Sequence, residues 1–377
     1  MTDDVLSSAS LTIARITPKT NWAFVEIEMR SARRGIGEAT AQGREDELVR
    51  LFPALVQEMV GQNETGLRQQ IANMEMPTLA HAAILSAVDQ ASWDVTGKRL
   101  GCSTAAAAAF ERRSSIAVYA NINRRTHDRS ANGFAASALQ AIRAGHAAIK
   151  IAPFDEVTPE SHRNRTTRMA ALSGLQRIAA VREAIGDRRL MVDCHWRFDA
   201  DTARFVVDAS AELGVYWIEC PLPETHENLS SVAALRGHAN GRGVMLAGCE
   251  EMIRTEGFAP FLAAGAYDVI MPDVKYVGAL EEFLRLEEKA KQHSVQLSLH
   301  NPSGPVSHAA SLQFTAMLEK PDLLEMQFDE TPLFDGLQTG LEPIAEGLSA
   351  LPIKPGLGIS LNREILSELT VEDVRGL

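Results

Sequence analysis

Seven apolar runs in this chain end at, or lead into, a residue that can carry charge: Lys150, Asp193, Glu219, Glu250, Asp273 and His300, with Glu325 inside the last run. Asp193, Glu219 and Glu250 are carboxylates on three consecutive runs. Brought together in a pocket they would repel, and at least one would be forced toward protonation. A hard divalent cation resolves that conflict, and an all-oxygen donor set favours Mg²⁺ over zinc. Asp273 and His300 end neighbouring runs. A carboxylate bonded to one ring nitrogen fixes the imidazole tautomer and leaves the other nitrogen as a base. Lys150 stands where it can hold a substrate carboxylate or lie over the metal site. In VDCHWRF (192–198), Asp193 and His195 are two apart. On a strand that spacing places both on one wall and turns Cys194 away. The same parity sends Cys220 and Cys249 outward, as small core residues rather than ligands.

The runs themselves predict the elements that carry these groups. SIAVYA (115–120), AAIKI (147–151), RLMVD (189–193), VYWIE (215–219), GVMLA (243–247), YDVIM (267–271), VQLSL (295–299) and LLEMQ (323–327) read as strands. Ala-, Leu- and Arg-rich helical stretches separate them, several stopping at Gly or His. Eight strands alternating with seven helices predict a closed parallel α/β barrel of (β/α)7β type, in which chemistry gathers at the C-terminal strand ends. A doubly wound open sheet is the rival, but no glycine-rich phosphate turn follows the first strand. Residues 1–113 read as an α+β capping domain, with strands LTIARITPKT and NWAFVEIEMR followed by helices. The tail, from about 348 to 377, returns to it, leaving 114–347 as the barrel.

The chain has 377 residues and a net charge of −12. That length supports a barrel with an accessory domain. The acidic balance argues against nucleic acid as a partner, because phosphate binding wants Lys/Arg clusters. No run approaches the roughly 18 apolar residues of a membrane span. The start, MTDDVLSSAS, lacks a signal-peptide core, and the four cysteines show no CxxC spacing. These features predict a reduced, soluble, cytoplasmic protein with neither membrane nor nucleic-acid partner.

GIGEAT and AILSAVDQASWDVTGKRLG in the first domain resemble the capping domain of the enolase superfamily, in the branch with mandelate racemase. YWIECPLPE, LAGCE, VIMPDVKYVGA, SLHNPSGPVSHAASLQF and PGLGI follow in that family's order. The resemblance implies that Asp193, Glu219 and Glu250 bind Mg²⁺ and that Asp273 and His300 form the base dyad. It implies that Glu325 helps stabilise an enediolate near the substrate carboxylate. Mandelate racemase carries two lysines on its second strand; here Lys150-Ile151-Ala152 keeps one. The pattern is most similar to acid-sugar dehydratases of the D-galactonate dehydratase type. That makes His195 the general acid for loss of a 3-hydroxyl, with Lys150 supplying positive charge near the enediolate. Tyr276-Val277-Gly278-Ala279 replaces the more usual paired glycines.

Under this reading Asn121, Asn123, Arg124 and Arg125, just after the first strand, can hydrogen-bond the distal hydroxyls of a sugar acid. The loop of Lys19, Asn21 and Trp22 is expected to cap the pocket, and His162, Arg163 and Arg165 to fold over its mouth. Family members commonly associate, which implies a homo-oligomer. An epimerase, racemase or cycloisomerase on the same scaffold would need an acid–base group on the opposite face, which Ala152 cannot supply. A non-catalytic binding protein would not need an intact ligand set beside an intact His–Asp dyad.

Overall fold

In the computed structural model, which describes residues 4–110 and 113–376, the eight expected runs are strands. They are β4 (Ser115–Asn121), β5 (Ala148–Ile151), β6 (Arg189–Asp193), β7 (Trp217–Glu219), β8 (Met245–Gly248), β9 (Val269–Ile270), β10 (Gln296–Leu297) and β11 (Leu324–Gln327). Their order in the sheet is β10-β9-β8-β7-β6-β5-β4-β11, all parallel. The ring closes between β11 and β10, where Glu325 N–H donates to the Leu299 carbonyl at 3.1 Å and Asp322 N–H to that of Leu297 at 2.8 Å. Parallel neighbours need crossovers, and seven long helices supply them: 131–143, 167–185, 200–212, 229–240, 254–264, 280–292 and 305–317.

Strand alternation separates two packed layers. Tyr119, Ala148, Met191, Trp217, Ala247, Val269 and Met271 fill the barrel interior as a cluster of their own. Ile149, Leu190, Val192, Ile218, Leu246 and Ile270 pack outward against the helices. Lys150, Asp193 and Glu219 each lie two residues beyond an inner-layer residue, so they inherit the inward direction at the top of the barrel.

The first domain is an antiparallel sheet of β1 (Leu6–Thr17), β2 (Thr20–Met29) and β3 (Arg34–Glu38), packed on helices 45–57, 64–73 and 79–100. The GIG stretch is needed because β3 lies directly on helix 79–100. A Cβ on Gly35 would come within 2.0 Å of the Ala91 carbonyl oxygen, and one on Gly37 within 2.0 Å of that of Ala87. The same helix docks onto the loop after β9. Gln90 Nε2 donates to the Val274 carbonyl at 3.0 Å, Ser86 Oγ accepts from Gly278 N–H at 3.0 Å, and Asp89 Oδ2 accepts from Leu280 N–H at 2.9 Å. Glu38, at the tip of β3, accepts N–H groups of Gly304 and Ser307, both at 2.8 Å. It thereby caps the N-terminus of helix 305–317, a favourable place for a carboxylate.

The tail divides between the two domains. Residues 348–350 pair antiparallel with β4 of the barrel, whereas 370–376 pair with β1 of the cap. No helix among the described residues is long and apolar enough to cross a membrane.

Candidate active site

The charged groups meet at the top of the barrel. Asp193 and Glu219 are the last residues of β6 and β7, and Glu250 lies two beyond β8. Each of the three offers an oxygen within 4.8 Å of the other two. Glu219 is held by Lys150 Nζ at 2.5 Å and by the Trp217 indole N–H at 3.2 Å. Lys150 also meets Glu325 at 2.8 Å, and Asn121 Nδ2 donates to the same Glu325 oxygen at 2.7 Å. Burial and the charges of Asp193 and Glu219 push the Glu250 carboxyl well above the usual carboxylate range; burial also raises Glu219, although Lys150 opposes it. Burial would lower Lys150, but the Glu219 and Glu325 carboxylates prevail and raise it. Lys150 is shared between Glu219 and Glu325, so the buried carboxylates around it outnumber the ammonium; an acidic trio of this kind could hold a metal ion.

His195 reaches this group by a route that strand parity does not describe. β6 stops at Asp193, and His195 and Trp196 have φ of 47° and 56°, in the left-handed region. The turn lets His195 N–H donate to Asp193 Oδ1 at 2.8 Å and its Nε2 meet Oδ2 at 2.7 Å. Burial alone would raise the Asp193 carboxyl; His195, with Lys150, brings it down to about 2. Cys194 and Cys249 pack in the outer layer as expected. Cys220 corrects the parity argument: its backbone is left-handed (φ 45°), and its Sγ lies 3.9 Å from Glu250 Oε2.

On the other side, His300 Nδ1 bonds Asp273 Oδ2 at 2.8 Å. Its Nε2 faces the carboxylates, 3.7 Å from Glu250 and 3.9 Å from Glu325. Asn301 N–H donates to Glu325 at 3.0 Å, tying the β10 loop to β11. Burial would raise Asp273, but Lys275 and His300 hold it below its ordinary value.

These residues surround a cavity of about 380 Å³ between barrel and cap. Lys150, Asp193, His195, Glu250 and His300 line it, with Asn121, Asn123 and Arg124. Glu219, Asp273 and Glu325 stand behind that surface and act through the bonds already described. Trp22 corrects the expectation: it is 2% exposed and packs edge-on against Phe24 and Phe334, away from the cavity. The Lys19–Asn21 turn likewise supports rather than caps, its Lys19 carbonyl accepting from Gln42. The cap's contribution comes from Thr40, the last residue of GIGEAT, from Ala41, Gln42 and Arg44 just after it, and from Leu79. His162 does not line the cavity; it bonds the Arg197 carbonyl at 2.7 Å. Lys275 and Tyr276 also line the cavity; the sequence signal for Lys275 is its place two residues after Asp273.

A two-domain barrel with a carboxylate trio and a His–Asp pair at its strand ends is an enolase-type architecture. Residues 133–365 match the family described as Enolase C-terminal domain-like, and residues 2–106 match Mandelate racemase / muconate lactonizing enzyme, N-terminal domain. The chain belongs to the enolase superfamily, in the mandelate racemase and muconate lactonizing enzyme branch. It is similar to the D-galactarolactone cycloisomerase of Agrobacterium fabrum, 32% identical over 303 residues, covering 77% of this chain and 74% of that one. It is also similar to the D-xylonate dehydratase of Haloferax volcanii, 26% identical, covering 93% and 86%. Among solved structures, an enolase superfamily member from Salmonella Typhimurium superposes with a TM-score of 0.86 at 20% identity, over 99% of this chain and 100% of that one, which speaks for the fold.

Proposed function

We propose that this protein is an Mg²⁺-dependent acid-sugar dehydratase, a lyase that converts an aldonate or aldarate to a 2-keto-3-deoxy acid. The observation that carries the reading is the pair of imidazoles flanking one carboxylate trio, each tied by a nitrogen to its own aspartate. An elimination needs a base for one atom and an acid for its neighbour, and this arrangement provides one of each. The dehydratase named among the relatives supports the same class.

Asp193, Glu219 and Glu250 would hold Mg²⁺ in this reading; the donors are all oxygen and carry more negative charge than Lys150 balances, which suits a hard cation. Bound there, the ion supplies Lewis-acid stabilisation of the charge that develops on the substrate carboxylate. His300, oriented by Asp273, removes the C2 proton through Nε2. Glu325 and Lys150 lie beside the carboxylate oxygens as the enediolate forms. His195 donates a proton to the departing 3-hydroxyl, and the enol then ketonises. Asn121, Asn123 and Arg124 meet the distal hydroxyls.

The second reading is a cycloisomerase acting on a sugar lactone through the same C2 proton removal, favoured by the 32% identity to the Agrobacterium enzyme. Both are tested by a screen of acid sugars and their lactones with Mg²⁺ in D₂O. 2-Keto-3-deoxy product from open-chain acids supports the dehydratase. Turnover of lactones alone moves the cycloisomerase ahead. The absence of both product and C2 deuteration with every acid would overturn both.

A further inference from the structure

Two lysines lie buried beside the site, each 1% exposed, and their surroundings differ. Lys150 has two carboxylate partners: its ammonium meets Glu219 at 2.5 Å and Glu325 at 2.8 Å, with the Tyr119 ring 5.6 Å away. Lys275 has a single hydrogen-bond partner for its Nζ among the described residues, Asp273 Oδ2, with the Tyr276 ring centroid at 5.1 Å. An ammonium carries three donors, and burying them without partners is costly. Lys275 also lines the cavity, together with Asp193, Glu250 and His300. The oxygen it binds is the one that holds His300 Nδ1 at 2.8 Å, so ammonium and imidazole stand side by side on one carboxylate. Its own N–H donates to Asp273 Oδ1 at 2.8 Å, and cap residues Gln90 and Ser86 bond the backbone at Val274 and Gly278 on either side. The lysine is therefore held in place before any ligand arrives.

We infer that Lys275 contacts the substrate, donating from Nζ to an oxygen beside C2 on the face that His300 attacks. It would thereby select which hydroxyl configuration is presented to the base. The assignment of that face rests on the dehydratase reading above; the unused donors do not.

The test is calorimetric titration of the Mg²⁺-loaded protein with erythronohydroxamate, a polyhydroxy hydroxamate whose planar chelating head mimics the enediolate. Wild type is compared with Lys275→Met and Lys275→Gln, each checked for folding by circular dichroism and melting. Loss of a charge-assisted hydrogen bond predicts binding about ten- to a hundredfold weaker in Lys275→Met. Lys275→Gln, which keeps a neutral donor, is expected to fall in between, and it decides the question if the Met variant does not fold. Wild-type affinity in the folded variants, even with a reduced kcat, overturns the inference by reducing Lys275 to a support for Asp273. Absence of binding to the wild type overturns it as well. Failure of every acid sugar to exchange its C2 proton would instead sink the dehydratase reading, while the hydroxamate titration still judges Lys275.

Discussion

The ends of β6 and β9 use one local device with two different cations. In Asp193-Cys194-His195 and in Asp273-Val274-Lys275, the third residue's N–H donates to the aspartate Oδ1 at 2.8 Å, and its side chain folds back onto Oδ2. Each is an Asx-type turn that returns a basic group to the carboxylate two residues earlier. At β6 the basic group is an imidazole beside the trio, and the carboxylates there outnumber their cations. At β9 it is an ammonium, the carboxylate also holds His300, and the cap pins the loop. The β6 wall is electrostatically incomplete by itself, whereas the β9 wall is assembled in advance.

That contrast can be broken at several points, and removal of metal should have the largest effect. A chelator is expected to abolish activity, with recovery on adding Mg²⁺, and to lower the melting temperature of the protein. Ligand at a hundred times its Kd is worth about 2.7 kcal/mol of stability. Melting and activity that do not respond to chelator would remove the trio as a metal site. His300→Asn on the β9 wall should abolish C2 deuteration, followed by proton NMR, with a loss at the upper end of the roughly 10²–10⁴ range of one acid–base group. His195→Asn on the β6 wall should stop dehydration by a similar or smaller factor while C2 exchange continues. Normal dehydration by that variant would mean the acid has been misassigned.

Acid should weaken the packing between helix 305–317 and the end of β11 through two buried histidines there. Burial lowers His146 to about 4 and His308 to about 3, and His308 Nδ1 contacts Asn301, which in turn holds Glu325. Both are neutral in the folded state and gain protons on unfolding below about pH 6.5. The unfolded state binds more protons in that window, so stability rises with pH from about 4 to 6.5 and falls as the solution is acidified through it. His146 alone contributes on the order of 3 kcal/mol across it, and His146→Phe should flatten the slope in urea denaturation at pH 4.5 against pH 7. The smallest effect is expected from Glu38→Gln. It removes the charge that accepts two N–H groups at the start of helix 305–317, costing about 1–2 kcal/mol in melts and urea titrations. An unchanged denaturation midpoint would show that the cap does not brace the β10 loop.

What could be read from the residues follows from strand periodicity. The inner-wall direction of Lys150, Asp193 and Glu219 is fixed by a period of two, so type and spacing alone located them. The apolar runs likewise marked the eight barrel strands. Periodicity ends where strands end, and β9 and β10 are each two residues long. Beyond that, direction depends on individual φ values, which is why His195 arrives through a left-handed turn and Cys220 points toward Glu250. Lys275 carried the same spacing from an aspartate as His195, a signal available in the chain but applied to only one of the two. Trp22 and the Thr40–Arg44 segment exchanged roles because their positions depend on docking between domains, which no local pattern encodes.

The docking itself constrains turnover. Glu38 and the helix 79–100 contacts at Val274, Gly278 and Leu280 are buried hydrogen bonds crossing from cap to barrel. Swinging the cap away as a rigid body would strand all of these partners at once. With the cap seated in this way, any opening of the cavity falls to the segments that line its mouth, Thr40–Arg44 from the cap and the loops carrying Arg124 and Pro302 from the barrel. A ligand would thus meet short loops held by a fixed frame, rather than two domains that hinge apart.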